Sequence, residues 1–181
     1  VVADDDGTLW QFTAFYSVDE QFGGGRAGSF SRVIGFHRNP TGKWNDAGIV
    51  ADPVPWGKTY AGDPFAFRDH NGTPCLATSV ADGTNGFIDW KNISLVILRS
   101  QSRSFAGPWS EPFYLFKDLP GNGHDDRIIG ARLFPRKDGS WVVTWNHGER
   151  DIAWRALVLP DLLHEVPHAT IMAAPILARN Q

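Results

Sequence analysis

The sequence has one cysteine, Cys75, and one methionine among its 181 residues. A single cysteine excludes a disulfide within the chain, and its place in an apolar run is typical of a buried, unreactive thiol. No apolar run approaches the roughly 20 residues that a membrane-spanning helix needs, so we expect no membrane partner. The net charge is −3 and no long basic run occurs, which argues against nucleic acid as a partner.

Aromatic and turn-forming residues are abundant instead. The chain has 8 Trp, 12 Phe, 19 Gly and 12 Pro, a composition that favours an all-β protein over a helical one. Hydrophobic residues make up 42% of the chain, so we expect one globular domain over residues 1–181. Aromatic rings of β proteins either pack in the core or stack on sugars, and the core is the default for most of them.

A unit of about 65 residues is repeated along the chain. The turn dipeptides Asp6-Gly7, Asn71-Gly72 and Asp138-Gly139 are 65 and 67 residues apart, and an apolar, aromatic run follows each of them. Four short antiparallel strands in each unit predict a blade of a β-propeller. The predicted units are 1–56, 57–119 and 120–181. Closed propellers typically have about four to eight blades, so we expect self-association or a companion segment to supply missing blades.

Three other stretches lead to predictions about local structure. The Gly-rich stretches 18–30 and 81–92 are predicted to be long loops between the second and third strands of their blades. Residues 161–173 are predicted to hold at most one helical turn, because Pro160 and Pro167 limit it.

The repeat resembles the five-bladed β-propeller glycoside hydrolases, the group of invertases, levansucrases, arabinanases and β-xylosidases. The similarity rests on Gly62-Asp63-Pro64-Phe65, the Asp/Asn-Gly turns, Gly107-Pro108-Trp109 and Gly123-His124-Asp125-Asp126. It implies a partial five-bladed propeller that acts on fructosides, arabinosides or xylosides, with an oligosaccharide or small molecule as the ligand. Family enzymes place three acids at the starts of the inner strands of successive blades, as nucleophile or base, stabiliser and general acid.

Only one of these three acids has a clear match. Asp63 corresponds to the aspartate that opens an inner strand, and the resemblance implies that it stabilises the transition state. The equivalent position of the first unit lies before Val1, and in the third unit it falls on Gly130 rather than on a glutamate. The nearest acids are Asp125 and Asp126. A second function, a non-catalytic carbohydrate-binding propeller, therefore stays open, as does a purely structural module.

Glycoside hydrolysis needs two carboxyl groups across the scissile bond, one of them a proton donor. We take Asp63, Asp126 and Glu149 as candidate catalytic residues. The alternative for Asp63 is a turn or cap beside Pro64, and the alternative for Glu149 is a surface turn.

Four further residues are candidates for substrate binding: Trp56, Arg68, His124 and Asp125. Trp56 would stack on a sugar ring or pack at the rim, and Arg68 either lines the channel or pairs with Asp69. We expect no catalytic metal and no cofactor. A structural calcium near His124 and Asp125 is one alternative, because oxygen ligands suit this ion, and a solvated polar loop is the other.

Overall fold

The computed structural model describes residues 1–18, 29–84, 87–120, 128–147 and 153–179. In these ranges the strands are β1 (Val2–Ala3), β2 (Leu9–Val18), β3 (Ser29–Arg38), β4 (Asn45–Ala51), β5 (Tyr60–Arg68), β6 (Pro74–Thr84), β7 (Phe87–Arg99), β8 (Phe113–Pro120), β9 (Ile128–Pro135), β10 (Trp141–His147), β11 (Ala153–Leu159) and β12 (Ile176–Arg179). A 3₁₀ turn spans Val54–Trp56 and a short helix, α1, spans His168–Met172. No helix in the described ranges has the length and apolar character that crossing a membrane requires.

The strands form three blades, each built from antiparallel neighbours. β1 to β4 form the first blade, β5 to β8 the second, and β9 to β12 the third. The first and second blades are joined by a single parallel pair, Ser31 with Tyr60. This is the predicted all-β, propeller-like arrangement of about three four-stranded blades.

The turns that follow the first strand of each blade have the same hydrogen bonds. The N–H of the first turn residue donates to the carbonyl four residues later, and the glycine N–H donates back to the carbonyl of that first residue, at 2.8–3.1 Å. The turns that share these bonds are 4–8, 69–73 and 136–140. Their glycines have φ of 79–86°, a left-handed conformation that glycine adopts readily. The spacing of the turns in the sequence therefore reflects a repeat in the backbone.

The second blade is covered on both faces. Leu76 and Val96 pack in one cluster with Val33 of the first blade. Cys75, at 1% exposure, packs in another cluster with Trp145 of the third blade, which confirms that the thiol is buried. A strand that is buried on both faces is apolar at consecutive positions rather than at alternate ones. This explains the almost unbroken apolar run at 93–98.

The first and third blades each leave one face partly uncovered. Phe15 and Ile49 of the first blade are 52% and 54% exposed, and Val158 and Leu177 of the third are 58% and 61% exposed. Large exposed apolar faces are uncommon in soluble monomers. The expectation that a companion segment or a second copy covers these faces stays a prediction.

Residues 81–84 and 87–92 lie in paired strands rather than in the predicted long loop. β6 continues to Thr84 and β7 begins at Phe87, with Asp82 opposite Asp89. The prediction was wrong because Gly83 is accommodated within the ladder, and the aromatic and β-branched residues after Gly86 favour an extended chain. Most of the other predicted loop, 19–28, lies outside the described residues.

The end of the chain completes the third blade. α1 is the single helical turn predicted within 161–173, and β12 follows it and pairs with β11. β12 was not predicted from the sequence, because its four residues are too few to show a strand pattern.

Candidate functional site

Asp63 lies in a β-bulge near the start of β5. The pairing of β5 with β6 skips here, so that Asp63 and Pro64 together oppose the single residue Thr78. Pro64 has no N–H to give to the ladder, which favours a bulge at this point. The Thr78 hydroxyl donates to the Gly62 carbonyl at 2.6 Å. Asp63 has φ of 51°, a left-handed conformation that is uncommon outside glycine but that aspartate adopts more readily than most residues.

The carboxylate of Asp63 is half-buried and has a phenol beside it. The Tyr60 hydroxyl donates a hydrogen bond to Oδ2 of Asp63 at 3.3 Å. Burial raises the pKa of Asp63 above its usual value, although the Tyr60 hydrogen bond and the positive charge of Arg132 oppose this rise. A partly desolvated carboxylate interacts more strongly with a nearby positive charge than a carboxylate in water does.

Gly130 occupies the position of Asp63 in the third blade. Both residues stand nine positions before the turn glycine of their blade, and both lie where the strand pairing skips. Gly130 has φ of 64°, close to the 51° of Asp63. The backbone geometry is therefore repeated, whereas the carboxylate is not. Counting nine residues back from each turn glycine in the sequence had paired the same two positions.

Arg132, two residues after Gly130, brings a positive charge toward Asp63. Its Nη1 donates to the Ala131 carbonyl at 3.0 Å, and its Cζ lies 5.3 Å from the centroid of the Phe65 ring. Together with apolar residues of β2 and β5, Arg132 lines a groove of about 270 Å³ next to the bulge.

Arg68 lies at the opposite end of β5 from Asp63. Its guanidinium pairs with Asp4 at 3.2 Å and with Asp5 at 3.4 Å, which ties the second blade to the first. Asp69, the alternative partner in the sequence analysis, instead accepts two backbone N–H bonds within its own turn, both at 2.9 Å. Because five residues of strand extend roughly 15 Å, the structure does not bring Arg68 and Asp63 together.

Trp56 lies in the 3₁₀ turn just before β5. Its ring is half-buried and packs against the apolar cluster shared by the first and second blades. This contact is of the kind expected if Trp56 packs against the protein. Stacking of Trp56 on a sugar ring stays a prediction.

The remaining candidates lie outside the described residues. These are His124, Asp125, Asp126 and Glu149. Their catalytic and binding roles, and a calcium near His124 and Asp125, stay predictions. Within the described ranges, no group of three His, Cys, Asp or Glu side chains is placed to hold a metal ion.

Tyr60 and Arg132 act on Asp63 but were not among the residues predicted from the sequence. Residues three apart on a regular strand point to opposite faces, so Tyr60 reaches Asp63 only because of the bulge. Pro64 was the sequence signal for that bulge. Arg132 could have been found by extending the count that identified Gly130, because it follows that position on the same inner strand.

Known proteins match this chain at the level of structure. No family model and no curated protein matches the sequence. The inulosucrase from Halalkalicoccus jeotgali bound to kestose matches with a TM-score of 0.60 at 16% identity, over 90% of this chain and 47% of that one. A mannose phosphorylase from Leishmania mexicana in complex with phosphate matches with a TM-score of 0.58 at 14% identity, over 98% and 46%. The endo-arabinase from Bacteroides thetaiotaomicron matches with a TM-score of 0.51 at 14% identity, over 88% and 54%.

The chain thus spans about half the length of the solved structures that it matches. Identities of this size show the fold alone and leave the substrate open. The chain has the fold of the five-bladed β-propeller glycoside hydrolases, and its described strands form about three of the blades.

Proposed function

We propose that the chain is part of a carbohydrate-active propeller that hydrolyses a glycoside, with Asp63 as the carboxylate that faces the sugar. The observation that carries this proposal is the bulge, which holds Asp63 at a φ of 51° beside the Tyr60 hydroxyl. A sugar ring gains positive charge in the transition state of hydrolysis. A carboxylate that is already oriented and partly desolvated stabilises that charge without reorganising.

The shared fold supports sugars as the ligand class. Its solved examples include an inulosucrase bound to kestose, an endo-arabinase and a levansucrase in complex with oligosaccharides. Fructosides and arabinosides are therefore the first substrates to test, and xylosides follow from the resemblance of the repeat.

A specific observation favours a second candidate function, which is carbohydrate binding without catalysis. Hydrolysis needs a second carboxyl group across the scissile bond. The position of the third blade that repeats Asp63 is Gly130, which supplies none. Asp63 would then orient a bound sugar through its hydroxyl groups and would not assist a reaction.

The substitution Asp63→Asn tests both candidates. It keeps the shape of the side chain and tolerates the left-handed backbone, but it removes the charge. We expect sugar release from fructan, arabinan or xylan to fall on the order of 100-fold or more if the chain is catalytic. If it only binds, calorimetry should show weaker binding of the matching oligosaccharide and no turnover by the unmodified chain.

Asp69→Asn is the matched control. Asp69 lies on the same strand-turn unit as Asp63 but at the other end of β5, where its carboxylate accepts hydrogen bonds within its own turn. We expect this variant to change turnover and sugar affinity little. If Asp63→Asn leaves both quantities unchanged while the unmodified chain binds or cleaves a sugar, Asp63 is not part of the site.

A further inference from the structure

Arg132 is a charged side chain whose hydrogen-bonding capacity is only partly used. One of its nitrogens, Nη1, donates to the Ala131 carbonyl, and its plane lies over the Phe65 ring. Among the described residues it forms no ion pair, and it is only partly buried. A guanidinium has five N–H donors in a planar fork that matches a carboxylate, and within the described part of the chain most of these donors have no partner.

The side chains that line the groove beside Arg132 are otherwise apolar, and backbone groups supply further polar surface. The described residues that line it include Trp10 and Phe12 of β2 and Phe65 of β5, and Arg132 is the charged side chain among them. The rings of Trp10 and Phe12 are stacked, with centroids 6.2 Å apart and planes inclined by 10°. Aromatic walls with one fixed polar group are typical of sites that take the apolar face of a small molecule and orient it by a single strong contact.

The charges near the groove favour a ligand with one negative charge. Arg132 supplies a single positive charge, and it is close enough to Asp63 to lower the pKa of that carboxyl. A dianion such as phosphate would place a second negative charge near Asp63, and among the described lining residues no second cationic side chain is present to balance it. A carboxylate carries one charge and is planar, so it fits the fork of Arg132 better than a phosphate group does.

We propose that this groove binds the carboxylate of an acidic sugar, a uronic acid residue, through Arg132. The inference rests on the proposed function, because it specifies the sugar that would sit beside Asp63. Phe65 holds the guanidinium plane in place, and Ala131 fixes its position along β9.

The test compares two sugars that differ at one group. Calorimetry measures the binding of galacturonic acid oligomers and of galactose oligomers of equal length to the full chain. We expect the acidic oligomer to bind about tenfold tighter or more, and this preference to weaken as salt is added. Arg132→Gln should remove the preference for the acidic oligomer. Arg132→Lys should keep part of it, because lysine retains the charge but not the planar fork.

Arg136→Gln is the control, since Arg136 follows the same strand but pairs with Asp138 at 3.3 Å in an exposed turn. It should leave the preference unchanged, and circular dichroism melts should show that each variant folds. If the neutral oligomer binds as tightly as the acidic one, the inference fails and the proposed sugar site stands. If neither binds, the inference fails, and the fructan, arabinan and xylan assays of Asp63→Asn decide the proposed function separately. If inorganic phosphate binds in an Arg132-dependent manner and displaces the acidic oligomer, an anion site exists but the assignment to a sugar carboxylate is overturned.

Discussion

Gly62 has no room for a side chain because the Tyr60 ring lies over it. A Cβ atom placed on Gly62 would overlap the hydroxyl and the Cζ of Tyr60. Tyr60 is 2% exposed and packs in the core between the second and third blades, so its ring cannot swing away freely. Gly62→Ala should therefore displace the ring, and the Tyr60 hydrogen bond to Asp63 should be lost with it.

The expected cost has two parts. Overpacking a buried site costs about 1–3 kcal/mol, and the net loss of one hydrogen bond costs about 0.5–1.5 kcal/mol. The free energy of unfolding should thus fall by about 1.5–4.5 kcal/mol, which lowers the melting temperature of a domain of this size by about 3–18 °C. The lost hydrogen bond also raises the pKa of Asp63 further, because that bond favours the ionised form.

Chemical and thermal denaturation of four variants measures this effect: Gly62→Ala, Tyr60→Phe, the double variant and a control. Gly42→Ala is the control, since a Cβ there meets its neighbours at 3.6–3.7 Å, an ordinary contact distance. Adding Tyr60→Phe to Gly62→Ala removes the hydroxyl that overlaps most, so the double variant should be more stable than the sum of the two single changes implies. A Gly62→Ala variant as stable as the unmodified chain would show that Tyr60 does not lie over Gly62, and the account of how Asp63 is held would fail.

Two further predictions follow from buried titratable groups. Because burial raises the pKa of Asp63, the folded chain binds this proton more tightly than the unfolded chain does, and ionisation lowers stability as the pH rises through this range. Asp63→Asn removes that penalty. The melting temperature of this variant, minus that of the unmodified chain, should therefore increase from about pH 4 to neutrality. A difference that stays constant with pH would contradict the raised pKa of Asp63. Burial also raises the pKa of the Cys75 thiol to about 12. A thiol reagent at about pH 8 should therefore label the denatured chain at once and the folded chain only as fast as it opens, whereas immediate labelling of the folded chain would contradict the burial.

The blades could be predicted because their signals are local. Each turn needs a glycine in the left-handed conformation, and the sequence displays these glycines at a regular spacing. Asp63 could be singled out for a similar reason, since an aspartate beside Pro64 at the start of an apolar run is visible without knowledge of the fold.

Contacts between blades could not be predicted in the same way. Adjacent residues of a strand point to opposite faces, so Arg68 does not reach Asp69 but meets Asp4, which is 64 residues away in the sequence. The contact between Tyr60 and Asp63 depends on a bulge that changes which face a side chain occupies. Arg132 lies on β9, in the third blade, and only the stacking of this blade on the second places its charge beside the groove.

The central claim is that the end of β5 that carries Asp63 faces a sugar. Nuclear magnetic resonance of the chain with labelled carboxyl groups and tyrosine rings tests it most directly, during titration with the oligosaccharide that binds best. The account predicts the largest shifts at the Asp63 carboxyl and the Tyr60 ring, with little change at Asp69 and Asp138, which lie in the turns at the other end of their blades. Shifts at Asp69 or Asp138 without a shift at Asp63 would contradict this claim.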